Sequence, residues 1–146
     1  MVCCFFGHRD TPETVKPDLV ECITDLIVNE GADSFLVGHQ GRFDAMVLSA
    51  LKGIQKEYPH ITYNVVLAYL PEKKEEYPYA EPWETMYPEG LESVPKKFAI
   101  DWRNNWLLQQ ADTVVCYVRH SFGGAGKFVD KAKRQKKRII NLAIQD

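Results

Sequence analysis

Short, nearly continuous runs of apolar residues alternate along the chain with longer stretches in which apolar residues recur every three or four positions. The short runs predict buried strands, and the longer stretches predict helices that bury one face. The predicted strands are Val2–Phe6, Ser34–Val37, Ile61–Leu67, Asp112–Val118 and Arg138–Ala143. The predicted helices are Thr14–Glu30, Phe43–Glu57, Lys96–Ala111 and Lys127–Gln135.

This alternation of strands and helices predicts an α/β fold of three layers, in which helices cover both faces of a parallel sheet. Right-handed crossovers restrict the strand order, and we expect five strands in the order 3-2-1-4-5. Ligands of such sheets bind beyond the carboxyl ends of the strands where the order reverses, here between the first and fourth strands. The segments Gly7–Asp10 and Arg119–Gly126 follow these two strands, so we expect them to meet at the ligand site.

The segment at about 70–95 departs from the alternation. It holds five of the eight prolines and seven glutamates, together with Tyr77, Tyr79, Trp83 and Tyr87. A loop of this length inside a compact domain is usually functional or disordered. Its aromatic content favours a lid or a partner surface, so we expect a single domain over 1–146 with an insertion at about 70–95.

The composition of the chain indicates the general class of protein to which it belongs. The chain has 146 residues, of which 45% are apolar, with a formal net charge of −2. These values are typical of one soluble domain, and no apolar stretch approaches the length of about 20 residues that a membrane helix needs. The four cysteines lack the spacing of a zinc site, so we expect buried thiols, no metal and no cofactor in a cytoplasmic protein.

A glycine-rich turn follows the predicted fourth strand and opens the last helix. Gly123, Gly124 and Gly126 would let backbone amides approach an anion closely, and Lys127 adds a positive charge. Phe128 stands where a Walker A loop needs a hydroxyl group, so that motif is absent. The turn therefore predicts either a phosphate site or simply a tight connection between strand and helix.

The ends of the first two predicted strands carry the other candidate ligand-binding residues. Gly7, His8 and Arg9 offer a cationic fork for phosphate and an imidazole that could relay a proton. The alternative is an exposed polar loop that caps the next helix. After the second strand come Gly38, Gly41 and Asp44, of which Asp44 could reach a ribose hydroxyl or cap the helix it begins.

Two further features allow both a functional and a structural interpretation. Arg103 lies between Trp102 and Trp106, so the helix either buries the tryptophans and leaves Arg103 in solvent or directs Arg103 towards a ligand. Asp130 follows Gly126 by four residues, which would place it near the glycine turn. Seven basic residues lie between 127 and 138, and they allow several interpretations. They could form a solvated helix end, a surface that binds nucleic acid or an acidic partner, or a surface that pairs with the glutamate-rich insertion.

Four motifs in this order resemble the YpsA/YspA-like group of the SLOG superfamily. They are Cys4–Arg9, Gly38–Asp44, Trp102–Asn104, and Ala111–Asp112 followed by the Gly123–Gly124 turn. That superfamily also contains the LOG phosphoribohydrolases and the DNA-processing protein DprA. The resemblance implies a Rossmann-like α/β fold and a site for a nucleotide or a nucleotide-derived ligand.

The resemblance also assigns roles to individual residues. Relative to the LOG pattern, Arg103 matches the arginine that precedes the Ala-Asp strand, the three glycines of the turn match its glycines, and Asp130 matches its glutamate. Asn104, Phe122 and Lys127 depart from that pattern, and Asp130 is one methylene shorter than the glutamate. A LOG-like hydrolase would use Asp130 to stabilise the developing oxocarbenium charge, Arg103 to orient the substrate and His8 to protonate the leaving base.

Three functions follow from these features. The first is binding of a nucleotide-derived small molecule, as a sensor or signalling protein. The second is LOG-like cleavage of the N-glycosidic bond of a nucleoside monophosphate. The third is DprA-like binding of nucleic acid by the basic run, which the net charge favours least. The apolar face of Phe43–Ile54 leaves a homo-oligomer open, because it could form a dimer seam as readily as a core.

Overall fold

The computed structural model describes residues 1–69, 80–120 and 122–143. Within these ranges the strands are β1 (Val2–Gly7), β2 (Ser34–Val37), β3 (Thr62–Val66), β4 (Thr85–Met86), β5 (Thr113–Tyr117) and β6 (Arg138–Asn141). The helices are α1 (Lys16–Glu30), α2 (Arg42–Glu57), α3 (Lys96–Gln110) and α4 (Gly123–Arg134). No helix in the described ranges is long and apolar enough to cross a membrane.

The strands form one parallel sheet in the order β4-β3-β2-β1-β5-β6. The predicted parallel α/β architecture is confirmed, but the prediction of five strands in the order 3-2-1-4-5 is wrong. The additional strand, β4, lies in the insertion and pairs with the outer edge of β3, with Val65 opposite Thr85. A strand of two residues has no periodic pattern, so the sequence gives no signal for it. The order still reverses at β1, which pairs with both β2 and β5.

Helices cover both faces of the sheet. Alternate residues of β1 point to opposite faces, so Cys3 and Phe5 pack with α1 and α2, whereas Cys4 and Phe6 pack with α3 and α4. The apolar face of α2 lies entirely in the first of these cores, through Phe43, Met46, Val47, Ala50, Leu51 and Ile54. That face is therefore buried in the core of the described part of the chain.

The thiols lie mostly inside the sheet. Cys3, Cys4 and Cys116 are buried on strands β1 and β5, as the sequence predicts. Burial raises the pKa of Cys3 and the pKa of Cys116 to about 12, so both remain protonated at neutral pH. Buried thiols of this kind pack as small apolar side chains and react poorly.

Two glycines set the ends of helices, one as predicted and one not. Gly31 adopts a left-handed conformation, with φ of 73°, and ends α1 where the sequence predicts it. At α4 the predicted boundary is wrong, because the helix begins at Gly123 and not at Lys127. The segment predicted as a glycine turn thus forms the first turn of α4. Every later residue of the helix therefore lies farther from the N-terminus of α4 than predicted.

The described part of the insertion is anchored by one buried carboxylate. Glu84 is 4% exposed and accepts a hydrogen bond from the Tyr63 hydroxyl at 2.6 Å. Its other oxygen accepts from the Glu81 backbone at 2.8 Å and lies 3.2 Å from the Lys52 ammonium. Burial opposes ionisation of Glu84, but these three partners together lower its pKa below the ordinary value. The prediction of a lid falls partly on residues 70–79, which lie outside the described residues.

We expect Glu84→Ala to lower the free energy of unfolding by about 1–2 kcal/mol, because it leaves the half-buried Tyr63 hydroxyl without its acceptor. Chemical denaturation of this variant and of Glu89→Ala, an exposed glutamate in the same insertion, measures the effect. Because the pKa of Glu84 is lower in the folded state, its carboxylate stabilises the fold at pH values above the unfolded pKa of about 4.3. This stabilisation is lost as the pH falls through the pKa of Glu84 in the folded state. Equal losses in the two variants would contradict the anchoring role.

Candidate functional site

The loops that follow β1 and β2 are fixed against each other by close approach. A methyl group on Gly7 would collide with the buried ring of Phe43, and one on Gly41 would lie 2.6 Å from the Cα of Arg9. Gly41 also has a φ of 92°, which favours glycine. The backbone amide of Arg42 donates to the Arg9 carbonyl at 2.9 Å. These contacts bring two of the predicted ligand-binding loops together at the carboxyl edge of the sheet.

Arg103 extends from α3 into the interior beneath these loops. It is 1% exposed, and its Nη1 donates to the Val66 carbonyl at 2.8 Å while its Nε donates to Asn104 Oδ1 at 2.8 Å. Its Nη2 donates to the side-chain oxygen of Gln40. A side chain on Gly38 would start 3.0 Å from the guanidinium carbon, so it would press Arg103 out of its present position. The interpretation that leaves Arg103 in solvent is therefore wrong.

A cleft of about 290 Å³ opens between these loops and the first turn of α4. We call it the glycine cleft, because four glycines from three separate segments line it. Its lining includes seven residues singled out from the sequence: Gly7, Arg9, Gly38, Asp44, Arg103, Gly123 and Gly124. It lies where the strand order reverses at β1, which is the position that the α/β topology predicts for a ligand.

The first turn of α4 lines the glycine cleft through Gly123, Gly124 and Ala125. Gly123 has a φ of 89°, and no side-chain hydrogen bond caps the helix at Phe122. A Cβ added at Gly123 or at Gly124 would meet nothing within 4 Å. These two glycines are thus not required by packing, in contrast to Gly7. They keep an unobstructed helix N-terminus, whose amides and dipole attract anions.

A second and larger cavity, of about 770 Å³, adjoins the glycine cleft. We call it the α2 cavity, because the first turns of α2 form much of its wall. Arg9, Gly38 and Asp44 line both cavities. The remaining lining residues of the α2 cavity are Glu13, Lys16, His39, Gly41, Arg42, Ala45, Met46, Leu48 and Ser49. One molecule could therefore extend from the helix N-terminus of α4, past Asp44, into the α2 cavity.

Asp44 stands at the junction of the two cavities. Its Oδ2 accepts a hydrogen bond from the Gln40 amide at 2.8 Å. Burial raises the pKa of Asp44 to about 6, although the hydrogen bond from Gln40 and the charges of Arg103 and Arg9 act in the opposite direction. A carboxyl group with this pKa changes charge just below neutral pH and can either accept or donate a hydrogen bond to a ligand.

His8 follows β1 as predicted but does not line either cavity. Its ring stacks on the His120 ring with 4.1 Å between centroids, and the His120 ring stacks in turn on Phe122 at 3.7 Å. Its Nε2 accepts a hydrogen bond from the Arg119 amide at 2.9 Å, so the proton lies on Nδ1. Burial and then the neighbouring His120 lower the pKa of His8, which keeps the ring neutral at pH 7.

The later residues of α4 also lie away from the cleft lining. Gly126 is buried against the sheet, and the exposed Lys127 forms an ion pair with Asp101 of α3 at 2.8 Å. Asp130 is exposed and lines neither cavity. The reason is the start of α4 at Gly123, which places Asp130 seven residues, or about 10 Å, along the helix from its N-terminus.

Several members of the basic run contact other parts of the same chain. Lys131 donates to Asn105, Lys137 donates to the Ala111 carbonyl at 2.8 Å, and Arg138 pairs with Glu30. These side chains hold α4 and β6 against α3 and α1. Four of the seven basic side chains, counting Lys127, thus contact other parts of the described chain.

Sequence reasoning missed several residues of the site. Gln40 joins Arg103 to the β2 loop, and its position between Gly38 and Gly41 is the only sequence signal for that role. Lys16 and Arg42 begin α1 and α2, where they reach the α2 cavity. Nothing in the local sequence distinguishes these two cations from ordinary surface residues.

Comparison with known proteins supports the fold alone. A scan against protein-family models finds no match, and neither does a search of curated proteins. Among solved structures, the chain is similar to DNA processing protein A (DprA) from Streptococcus pneumoniae, with a TM-score of 0.63 and 15% sequence identity. The likeness covers 94% of this chain and 48% of the DprA chain, so this protein spans about half the length of that relative. The chain therefore has a Rossmann-like α/β fold similar to that of half of the DprA chain.

We expect Asp44→Asn to raise the free energy of unfolding at pH 7 by about 1–2 kcal/mol. The pKa of Asp44 is about 6 in the folded state and about 4 when unfolded, so ionisation destabilises the fold as the pH rises between these values. Asparagine keeps an acceptor for the Gln40 amide and cannot ionise. Urea denaturation at pH 4, 5.5 and 7 measures the difference, which should disappear at pH 4. The control is Asp130→Asn, and a constant offset across pH would contradict the prediction.

Proposed function

We propose that this protein binds a nucleotide or a nucleotide-derived ligand across the glycine cleft and the α2 cavity. The observation that carries the proposal is the meeting of three separate glycine-containing segments around one cleft at the point where the strand order reverses. The expected binding mode has three parts: a phosphate at α4, a ribose near Asp44, and the remainder of the ligand in the α2 cavity.

The phosphate end is supported by the first turn of α4 and by Arg9. Gly123 and Gly124 line the cleft and border open space, and the dipole of α4 adds a positive potential at its N-terminus. Arg9 lines the same cleft and can donate two parallel hydrogen bonds to a phosphate. Arg103 already donates hydrogen bonds to protein groups through three of its nitrogens. We therefore assign Arg103 the role of holding Gln40 and the loop after β2 in position.

The ribose end is supported by Asp44. Its carboxyl group lies between the two cavities and accepts one backbone hydrogen bond at Oδ2, which leaves further acceptor capacity for the hydroxyl groups of a sugar. Gly38 beside it contributes to the walls of both cavities. A sensor or signalling role of the YpsA-like kind needs no more than such binding, and we include it in the proposal.

The two alternative functions receive less support from the site. LOG-like cleavage of an N-glycosidic bond would rely on Asp130 and His8, and neither lines the two cavities. DprA-like binding of nucleic acid would rely on the basic run, four of whose side chains contact the chain itself. We therefore prefer binding of a small nucleotide to either alternative.

We expect Gly124→Leu to reduce the affinity for AMP by at least about tenfold, because the new side chain would occupy the phosphate position in the cleft. The substitution should not lower the melting temperature, since a Cβ at Gly124 meets nothing within 4 Å and leucine favours a helix more than glycine does. Isothermal titration calorimetry with AMP measures the affinity, and calorimetric melting measures the stability.

The matched control is Gly53→Leu. Gly53 is an exposed glycine of α2, and a Cβ added there also meets nothing within 4 Å, but it lies outside both cavities. We expect this variant to bind AMP as the original chain does. Equal affinities for AMP in all three proteins, or no heat of binding with the folded original chain, would reject the proposed phosphate site.

A further inference from the structure

The first turn of α4 forms one wall of the glycine cleft, although it is not buried itself. Gly123 and Gly124 line the cleft, and the buried residues of α4 begin only at Gly126. No side-chain hydrogen bond caps the helix at Phe122. The position of this wall therefore depends on the segment that leads from β5 into α4. We call this segment the β5–α4 connection, and its described residues are 118–120 and 122.

The strand side of the β5–α4 connection is fixed by an amide side chain. Asn141, the last residue of β6, accepts a hydrogen bond from the Val118 amide at 3.1 Å and donates one to the Val118 carbonyl at 2.9 Å. These two hydrogen bonds extend the contact between β5 and β6 beyond the paired backbone. The next residue, Arg119, has no strand partner in the described sheet.

His8 holds Arg119 from the end of β1. Its Nε2 accepts a hydrogen bond from the Arg119 amide at 2.9 Å. His8 is itself anchored, because its amide donates to the Tyr117 carbonyl at 3.2 Å and its carbonyl accepts from the hydroxyl of the buried Thr11 at 2.6 Å. The imidazole thus links the β5–α4 connection to a residue whose backbone is fixed on both sides.

A stack of rings continues this link to the start of α4. The His8 ring stacks on the His120 ring, and the His120 ring stacks on Phe122. The Nδ1 of His120 also donates to the Phe122 carbonyl at 3.0 Å. Phe122 directly precedes Gly123, so a displacement of the stack would displace the wall of the glycine cleft.

Protonation of His8 would reverse the role of its Nε2. A neutral imidazole with its proton on Nδ1 offers Nε2 as an acceptor, whereas an imidazolium carries an N–H on both nitrogens. The new N–H would point at the N–H of Arg119, and two donors cannot share a hydrogen bond. Among the groups around the ring, His120 and Arg119 oppose the charged form and Asp10 favours it, while Tyr117 makes a T-shaped ring contact.

We infer that His8 is a positioning residue of the glycine cleft, whose neutral imidazole holds the β5–α4 connection where Gly123 and Gly124 can contact a bound nucleotide. This inference rests on the proposed function. It gives His8 a part in binding although the residue lines neither cavity. Protonation of His8 releases the Arg119 amide and weakens binding, so the affinity depends on pH through a residue that the ligand does not touch.

Three variants test the role of the acceptor at pH 8, where His8 is neutral because its pKa lies below the ordinary 6.5. His8→Phe keeps a ring for the stack but removes the acceptor, and we expect it to weaken AMP binding about threefold to tenfold, which is the effect of one hydrogen bond. His8→Gln restores an acceptor oxygen and should restore the affinity. His60→Phe removes an exposed histidine outside both cavities and should change nothing. Isothermal titration calorimetry on the full chain measures the affinities.

The pH profile separates positioning from a merely structural role. The phosphate of AMP and the carboxyl of Asp44 both titrate near about pH 6, but they are common to the original chain and to His8→Gln and cancel in the ratio of affinities. The two proteins should bind AMP alike at pH 8. Once His8 is protonated, the original chain should bind AMP about threefold to tenfold more weakly than His8→Gln. A ratio that stays constant while the NMR signals of the His8 ring titrate would overturn the inference.

Amide hydrogen exchange tests the same link without a ligand. At one fixed pH near 8, the Arg119 amide should exchange about tenfold faster in His8→Phe than in the original chain, because its acceptor is gone. His8→Gln should restore the protection of this amide. Equal exchange of the Arg119 amide in all three proteins would show that His8 does not hold the β5–α4 connection.

The outcomes separate the inference from the proposed function. If AMP binds equally well to the original chain and to His8→Phe, the inference is overturned and the proposed nucleotide site stands. If AMP binds to none of the folded proteins, the proposed function fails together with the inference. If His8→Phe does not fold, the pH profile of the original chain against His8→Gln decides the matter.

Discussion

The buried guanidinium of Arg103 is the constraint on which the rest of the site depends. A buried charge costs several kcal/mol unless its donors are satisfied, so the protein groups around it must be held in place. Here those groups come from β3, from the loop after β2 and from α3 itself. Because these groups are all hydrogen-bonded to Arg103, that side chain fixes the floor of the glycine cleft. A side chain at residue 38 would press against its guanidinium group.

The glycines around this floor fall into two groups with different physical reasons. Gly7 and Gly41 are required by close packing, since a side chain at either would clash with Phe43 or Arg9, and a side chain at Gly38 would press against Arg103. Gly123 and Gly124 border open space, so packing does not explain them. The first group holds two loops together, and the second group leaves the helix N-terminus of α4 accessible. That contrast separates the glycines that build the cleft from those that border its open space.

The fold alone does not determine what this site binds. Rossmann-like domains bind many different ligands at the same edge of the sheet, and a structural likeness at 15% identity adds nothing to that choice. The side chains that line the two cavities are more informative, because both cations and carboxylates lie within reach of a bound molecule there. Asp44 lies between the two cavities, and burial raises its pKa to about 6. A group whose charge changes near neutral pH therefore lies beside the proposed ribose position.

The sequence by itself determined the alternation of strands and helices, and the parallel sheet whose order reverses at β1. It also determined that the segments containing Gly7, Gly38 and Gly123 meet. These features follow from hydrophobic periodicity and crossover handedness, which depend on local pattern. Only the tertiary structure decided where side chains point. It turned Arg103 inwards, moved Asp130 away by starting α4 at Gly123, and added β4 at the sheet edge. It also gathered Lys16 and Arg42 into one cavity, because contacts between distant segments have no signature in local sequence.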